Sequence, residues 1–126
     1  MLNQIVLVGR IASDLEINEV NNKKVATITL AVSRSFKNEN GEYETDLVPI
    51  TIWNGIAENV CEYCKKGDVV GVKGRIQRMG NDYTANGHPI IEIVAEKVTF
   101  LSSQSVKMSE EMKKRKNEEK QESELE

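Results

Sequence analysis

Side chains that commonly carry out catalysis or bind metals are scarce in this sequence. It contains one histidine, His88 in the loop-like "NGHP", and two cysteines, Cys61 and Cys64. A zinc site would need two further ligands at suitable spacing, and a redox dithiol favours the start of a helix rather than its second half. No glycine loop of the Walker type occurs. We therefore predict a protein that is not an enzyme, has no metal site or cofactor, and uses both cysteines as reduced packing residues.

Long apolar runs are also absent. The sequence has no stretch of about 18 apolar residues such as a membrane span requires. Met1 leads directly into the strand-like "NQIVLVG", without the charged and apolar regions of a signal peptide. We expect a cytoplasmic protein that makes no contact with a membrane.

Positive charge is lacking in the chain as a whole. The sequence has 17 Lys and Arg against 20 Asp and Glu, a formal net charge of −3. Residues 102–126 hold six of the basic and seven of the acidic residues, so neither part of the chain is basic. Any role in nucleic-acid binding would have to rest on local clusters of Lys and Arg.

What the sequence does contain is a series of segments rich in β-branched residues between Asn3 and Leu101. An Asn-Gly step in "KNENGEYE" predicts a hairpin between the second and third segments, and "MGNDYTANGHP" predicts a polar loop between the fourth and fifth. The five predicted strands are "QIVLVGRI", "KVATITLAVSRSF", "DLVPITIW", "DVVGVKGRIQR" and "IIEIVAEKVTFL". Their spacing is typical of a small all-β barrel or sandwich.

One helix is predicted between the third and fourth strands. Apolar residues recur at helical spacing in "NGIAENVCEYCKKG": they are Ile56, Ala57, Val60, Tyr63 and Cys64. Asn54 can cap the start of this helix, and Gly67 can take the left-handed conformation after its end.

The composition changes abruptly at Ser102. Residues 102–126 contain almost no large apolar side chains, and their acidic and basic residues lie three or four positions apart. We predict one folded domain at residues 1–101, followed by a charged tail at residues 102–126 that is disordered or transiently helical.

Aromatic residues make up only 5% of the chain, and Trp53 is its single tryptophan. Alternation along the third and fourth strands assigns one set of residues to the core: Val48, Ile50, Ile52, Val70, Val72, Gly74 and Ile76. Trp53 falls on the opposite face, as do Lys73 and Arg75. An exposed indole beside cations suits a single-stranded nucleic acid, because bases stack on aromatic rings and phosphates need positive charge. Alternatively, Trp53 packs over the core beneath the helix that follows it.

Four segments, in their order and spacing, resemble the bacterial single-stranded DNA-binding protein (SSB) family. They are "MLNQIVLVGRIASDLE", "VATITLAVSRSFKN", "AENVCEYCKKGDVVGVKGRIQ" and "AEKVTFL", and the resemblance covers about Met1 to Leu101. It implies an OB-fold, a five-stranded barrel with a helix between its third and fourth strands. It also implies a homotetramer that binds single-stranded DNA without sequence preference and is associated with the nucleoid.

The resemblance assigns DNA-binding roles to individual residues. Trp53 and Phe36 match positions where the family has a stacking aromatic. Leu47 stands where the family usually has Trp or Phe, and the aromatic expected shortly after "GRIQ" is absent, with only Tyr83 nearby. The basic residues that match the family's binding track are Arg10, Arg34, Lys73, Arg75 and Arg78, with Lys37, Lys65 and Lys66 as weaker matches. Each of them is alternatively an ordinary solvated charge.

The sequence departs from the family pattern at two further places. Val48 replaces a histidine that lies at a subunit contact in some members, so the details of assembly stay open. Full-length cellular members end in an acidic tip that closes with Pro-Phe and recruits replication and repair proteins, whereas this chain ends in "QESELE". In this respect it is more similar to a short paralogue or to a version carried by a phage or mobile element.

These observations predict sequence-independent binding and protection of single-stranded DNA during replication, recombination or repair. The alternative hypothesis is an OB interaction module of the primosome type, which binds DNA weakly and mainly docks a replication protein. An enzyme on an OB scaffold, such as a nuclease, is disfavoured because no cluster of carboxylates or histidines is evident.

Overall fold

The computed structural model describes residues 1–101, which form strands joined by short connections and one helix. In chain order the elements are β1 (Ile5–Ile11), β2 (Asn18–Val20), β3 (Lys23–Lys37), β4 (Tyr43–Trp53), α1 (Asn54–Tyr63), β5 (Val69–Tyr83) and β6 (Pro89–Phe100). Within this range no helix is long and apolar enough to cross a membrane. The predicted charged tail, residues 102–126, lies outside the described residues.

The five longer strands close into a barrel. Their order is β1-β5-β6-β4-β3, and β1 returns to pair with β3 through Arg10–Ala31 and Ile11–Leu30. The pair β4–β6 is parallel, and the other pairs are antiparallel. The helix α1 lies between the third and fourth barrel strands, so the predicted all-β OB-fold is confirmed.

One strand was not predicted from the sequence. The three-residue strand β2 pairs with the start of β3 across a tight turn formed by Asn21 and Asn22. Both asparagines have positive φ angles, 52° and 66°, which asparagine tolerates better than most residues. Strand β2 could not be predicted from the sequence, because "NEV" is too short and too polar to show an alternating pattern.

The predicted polar loop from Met79 to Pro89 is wrong for most of its length. Strand β5 continues to Tyr83 and β6 begins at Pro89. The turn between them is closed by backbone hydrogen bonds from Thr84 N–H to the carbonyl oxygen of His88 and from Gly87 N–H to the carbonyl oxygen of Thr84. Gly80 has a φ of 56° within an irregularity of the β5–β6 pairing. The strand therefore bends at Gly80 instead of ending there.

The barrel core follows the predicted alternation along the strands. The fully or almost fully buried side chains include Ile28, Leu30, Ile50, Ile52, Val70 and Val72, and Val48 is half-buried beside them. Ile76 was wrongly assigned to the core, since 38% of its surface is exposed. The reason is that β1 covers β5 only as far as Gly74, so Ile76 lies where β5 extends beyond β1.

Two glycines allow neighbouring backbones to approach closely where the barrel curves. A Cβ atom on Gly74, next to a bulge in the β5–β6 pairing, would collide with the carbonyl oxygen of Val94. A Cβ atom on Gly9 would likewise collide with the carbonyl oxygen of Ala31. Both positions require the absence of a side chain.

The helix α1 packs against β3, β4 and β6 and buries Ala57 and Val60. The expected cap by the Asn54 side chain is wrong: Trp53 occupies the N-cap position, Asn54 itself has a φ of 54°, and no side chain caps the helix. Gly67 has a φ of 99°, in the left-handed region as expected.

The two cysteines lie on the helix side of the core. Cys64 is buried and Cys61 is half-buried. Burial raises the pKa of the Cys61 thiol, which disfavours the reactive thiolate. Both observations suit packing residues.

Candidate nucleic-acid interface

Trp53 lies on the outer face of the barrel, at the end of β4. The β3–β4 register sets Trp53 opposite Val25 and Leu47 opposite Ala31, on the face away from Ile50 and Ile52. The side chain is half-buried, so it is neither a core residue nor a fully solvated one. Alternation along the sequence thus predicted its face correctly.

An open depression of about 380 Å³ is lined by Trp53 together with Arg75. Its other lining residues are Lys23, Asn54, Ile56, Val94, Ala95 and Glu96. Arg75 reaches this position from β5, and Val94 of β6 lies between the two strands, paired with Arg75 on one side and with Thr51 on the other. The fold therefore brings together an indole and a guanidinium that are more than twenty positions apart in the sequence.

A chain of hydrogen bonds orients Arg75. Its guanidinium donates to the side-chain carbonyl oxygen of Gln77, and the amide nitrogen of Gln77 donates to Glu92 Oε1 over 2.6 Å. The other oxygen of Glu92 accepts a hydrogen bond of 3.0 Å from the Thr51 hydroxyl. Arg75 also lies 3.8 Å from Glu96. Glu92 and Thr51 were not singled out from the sequence, because each looked like an ordinary outward-facing polar residue.

Lys73 lies on the same outer face with a second lysine beside it. The β5–β6 register sets Lys73 directly opposite Lys97, and both side chains are exposed. Lys97 was not singled out from the sequence, and the bulge between Lys73 and Gly74 shifts the alternation of β6 by one residue.

Arg10 lies on the other side of the barrel's outer face. It pairs with Ala31, which in turn pairs with Leu47, so Arg10 and Leu47 share a row across β1, β3 and β4. Its guanidinium donates to the carbonyl oxygen of Gly67 over 3.0 Å. The exposed Lys65 and Lys66 immediately precede that glycine.

The hairpin formed by β3 and β4 carries two exposed aromatic rings. Phe36 and Tyr43 are each more than half exposed, and Lys37 Nζ lies 5.7 Å from the centroid of the Tyr43 ring. Phe36 was predicted and Tyr43 was not. Tyr43 could have been found by extending the alternation of Leu47 and Trp53 four residues towards the start of β4.

The hairpin formed by β5 and β6 carries a second aromatic and cationic pair. The Arg78 guanidinium lies 4.8 Å from the centroid of the Tyr83 ring and also donates a hydrogen bond to its hydroxyl. Tyr83 is more than half exposed. A guanidinium over an aromatic face is a favourable arrangement, and it leaves the other face of the ring for stacking.

Arg34 differs from the other predicted cations in its surroundings. Its Nε and Nη2 donate to the two carboxylate oxygens of Asp46 over 3.1 and 3.0 Å, and its Nη1 donates to Glu44 over 2.5 Å. The hydrogen bond and charge of Arg34 lower the pKa of the Asp46 carboxyl, and Asp46 in turn raises the pKa of Arg34. Asp46 lies opposite Val32, so this cluster is on the face of the hairpin opposite to Trp53.

Across residues 1–101, no group of three or more His, Cys, Asp or Glu side chains is arranged to hold a metal ion. His88 lies in the turn between β5 and β6, as the sequence predicted.

The closed barrel with one helix and an outer face of aromatic and basic side chains defines an OB-fold protein of the kind that holds nucleic-acid strands. The model of the Single-strand binding protein family matches residues 2–101, and the chain belongs to this family. The resemblance seen in the sequence is thereby confirmed.

Three relatives illustrate the similarity. A Single-stranded DNA-binding protein of Streptococcus pneumoniae is 43% identical over 109 residues, covering 85% of this chain and 70% of the relative. Single-stranded DNA-binding protein B of Bacillus subtilis is 44% identical over 104 residues, covering 80% and 91%. Single-stranded DNA-binding protein 1 of Clostridium acetobutylicum is 42% identical over 107 residues, covering 81% and 96%.

Proposed function

We propose that this protein binds and protects single-stranded DNA, without sequence preference and without catalysis, during replication, recombination or repair. The observation that carries the proposal is the open depression on the outer face, which is lined by both Trp53 and Arg75. Membership of the Single-strand binding protein family and the names of the relatives support it. The site of action would be the cytoplasm, at the nucleoid.

The mechanism follows from what each part of the outer face offers to a strand. Bases would stack on Trp53 and on the exposed rings of the two hairpins, a contact that every base can make because every base has a π-face. Phosphates would be bound by Arg75, Lys73 and Lys97, whose positive charges lie along one side of the track. Binding would favour the single-stranded state by mass action, since the protein takes up unpaired strands only.

Residues 1–101 would form the DNA-binding domain, with residues 102–126 as an appended tail. Replication or repair proteins would be the protein's further partners.

We further propose that the protein assembles as a homotetramer. Val6 and Val8 lie on the outer face of β1 with 64% and 54% of their surfaces exposed. In addition, β1 pairs with β3 only at Arg10 and Ile11, so one edge of the strand is open from Ile5 to Val8. An open edge beside exposed valines is suited to contact with a second copy of the chain.

A fluorescence titration tests the proposed function. Oligo-dT should quench the emission of Trp53, the only tryptophan of the protein. The logarithm of the association constant should fall with the logarithm of salt concentration, with a slope of about 0.7 per phosphate neutralised. A duplex of equal length serves as the control and should bind much more weakly. Unchanged emission and no binding at low salt would contradict the proposal and favour a protein-interaction module.

A further inference from the structure

The Arg34 guanidinium is held by two carboxylates in a geometry that a DNA phosphate would also require. Three of its N–H groups are engaged: Nε and Nη2 form a bidentate pair with Asp46, and Nη1 donates to Glu44. Arginine binds carboxylate and phosphate through the same planar fork. The two oxygens of Asp46 therefore occupy the positions that two phosphate oxygens would take.

The cluster is exposed to solvent on the β3–β4 hairpin, on the face opposite to Trp53. Arg34, Glu44 and Asp46 belong to the β3–β4 hairpin that carries Phe36 and Tyr43, and their side chains are 41–50% exposed. The regular pairing of the two strands is interrupted between Ser33 and Lys37, next to Arg34. Ion pairs this exposed are weak and are screened by salt, so a phosphate can compete with them.

The charge of the cluster opposes phosphate binding while the ion pairs are closed. One guanidinium and two carboxylates carry a net charge of −1, so an approaching phosphate meets repulsion and finds the fork occupied. Arg75 is different, because its single carboxylate contact among the described residues is the 3.8 Å approach of Glu96.

We propose that Asp46 and Glu44 act as internal competitors for the DNA backbone at Arg34, which binds phosphate only after its ion pairs have opened. This inference rests on the proposed binding of single-stranded DNA. Under this proposal the Arg34 position on the hairpin stays closed to phosphate in the free protein. Asp46 and Glu44 are the two residues that set the affinity of that position.

Oligo-dT affinity, measured against salt concentration, tests the proposal in four proteins. They are the wild type, the double variant Asp46→Asn/Glu44→Gln, the single variant Arg34→Gln, and the triple variant that combines all three changes. The double variant should bind roughly three- to tenfold more tightly at low salt, and its salt slope should steepen by about 0.7 per protomer. The triple variant should lose this gain, and Arg34→Gln alone should bind less tightly than the wild type, because it leaves both carboxylates without their cation.

A matched control separates this effect from a general loss of negative charge. Glu39→Gln/Glu42→Gln removes two carboxylates from the same hairpin without touching the ion pairs of Arg34. Its effect on affinity should be small and should be the same with Arg34 or Gln at position 34. Thermal melting followed by circular dichroism verifies folding, and Asp46→Asn alone replaces the double variant if the latter unfolds.

The possible outcomes are distinguishable. A gain that persists in the triple variant, or no gain in the double variant, would overturn the competition at Arg34 while leaving DNA binding intact. If the wild type binds no oligo-dT at all, the proposed function itself fails.

Discussion

Trp53 is the aromatic residue whose surroundings best suit a stacking platform. It is half-buried at the junction of β4 and α1, whereas Phe36, Tyr43 and Tyr83 are more than half exposed on the two hairpins. A side chain already held by the barrel loses little freedom when a base stacks on it. Trp53 should therefore contribute more per ring than the hairpin aromatics.

Replacing Trp53 with alanine should cost about 1–3 kcal/mol of affinity for oligo-dT, because the stacked base loses its platform. The melting temperature should change little, since the indole is outside the buried core. Trp53→Phe is the matched control and should retain most of the affinity. Anisotropy of a labelled oligonucleotide measures binding without the intrinsic signal. Unfolding of the alanine variant would show that Trp53 supports the core instead.

Single residues also show where prediction from sequence succeeds. Period-2 alternation placed Trp53, Lys73 and Arg75 on the outer face, because a strand in a half-solvated sheet must alternate. The rule was not applied to Lys97, and a bulge in the pairing such as the one next to it cannot be read from one strand alone. The ion pairs of Arg34 could not be foreseen either, because they depend on the register between two strands.

At the scale of elements, Gly9 and Gly74 explain how the barrel bends, because neighbouring backbones approach each of them closely. The carbonyl oxygens of Val94 and Ala31 lie against Gly74 and Gly9, so the neighbouring strands cross without a side chain between them. The elements themselves were largely predictable from their β-branched runs. The end of β5 was not, because the Gly, Asn and Asp residues after Met79 are typical of a loop.

Gly74→Ala should destabilise the protein by about 1–3 kcal/mol, because the new methyl group meets a backbone carbonyl that cannot move without disturbing β6. Gly71→Ala is the matched control on the same strand. Its methyl group would meet the flexible Leu101 side chain at 3.3 Å, and its cost should stay below about 1 kcal/mol. Urea unfolding compares the two variants. Equal stabilities of the two variants would contradict this prediction and show that the backbone of β6 moves at Val94 to accommodate the new methyl group.

At the scale of the whole molecule, local placement of charge matters more than the total. The chain has a net charge of −3, yet Lys73, Lys97 and Arg75 lie close together on the outer face. Composition alone could therefore not identify this surface as basic. The pairing of β5 with β6 reveals the basic cluster, because it places residues that are about twenty positions apart in the sequence next to each other.

Assembly can be tested through the outer face of β1. The double variant Val6→Glu/Val8→Glu should have a smaller mass in solution than the wild type, for which we expect four chains, because buried carboxylates at a subunit contact are costly. Light scattering after size-exclusion chromatography measures both masses. Val20→Glu, which changes an exposed valine on β2, should leave the mass unchanged. A monomeric wild type would contradict the proposed tetramer.

The register of β1 has a consequence for how the protein is made. Ile5 pairs with Gly74 and Arg10 with Val69. The pairing of β1 with β5 can therefore form only after most of the domain has been synthesised. On the ribosome the β3–β4 hairpin can form from a continuous stretch of chain, whereas the closed barrel requires β5 to have emerged. Until β5 has emerged, only the short pairing with β3 covers the apolar side chains of β1 from solvent. The protein's first strand is thus among the last to complete its pairing during synthesis.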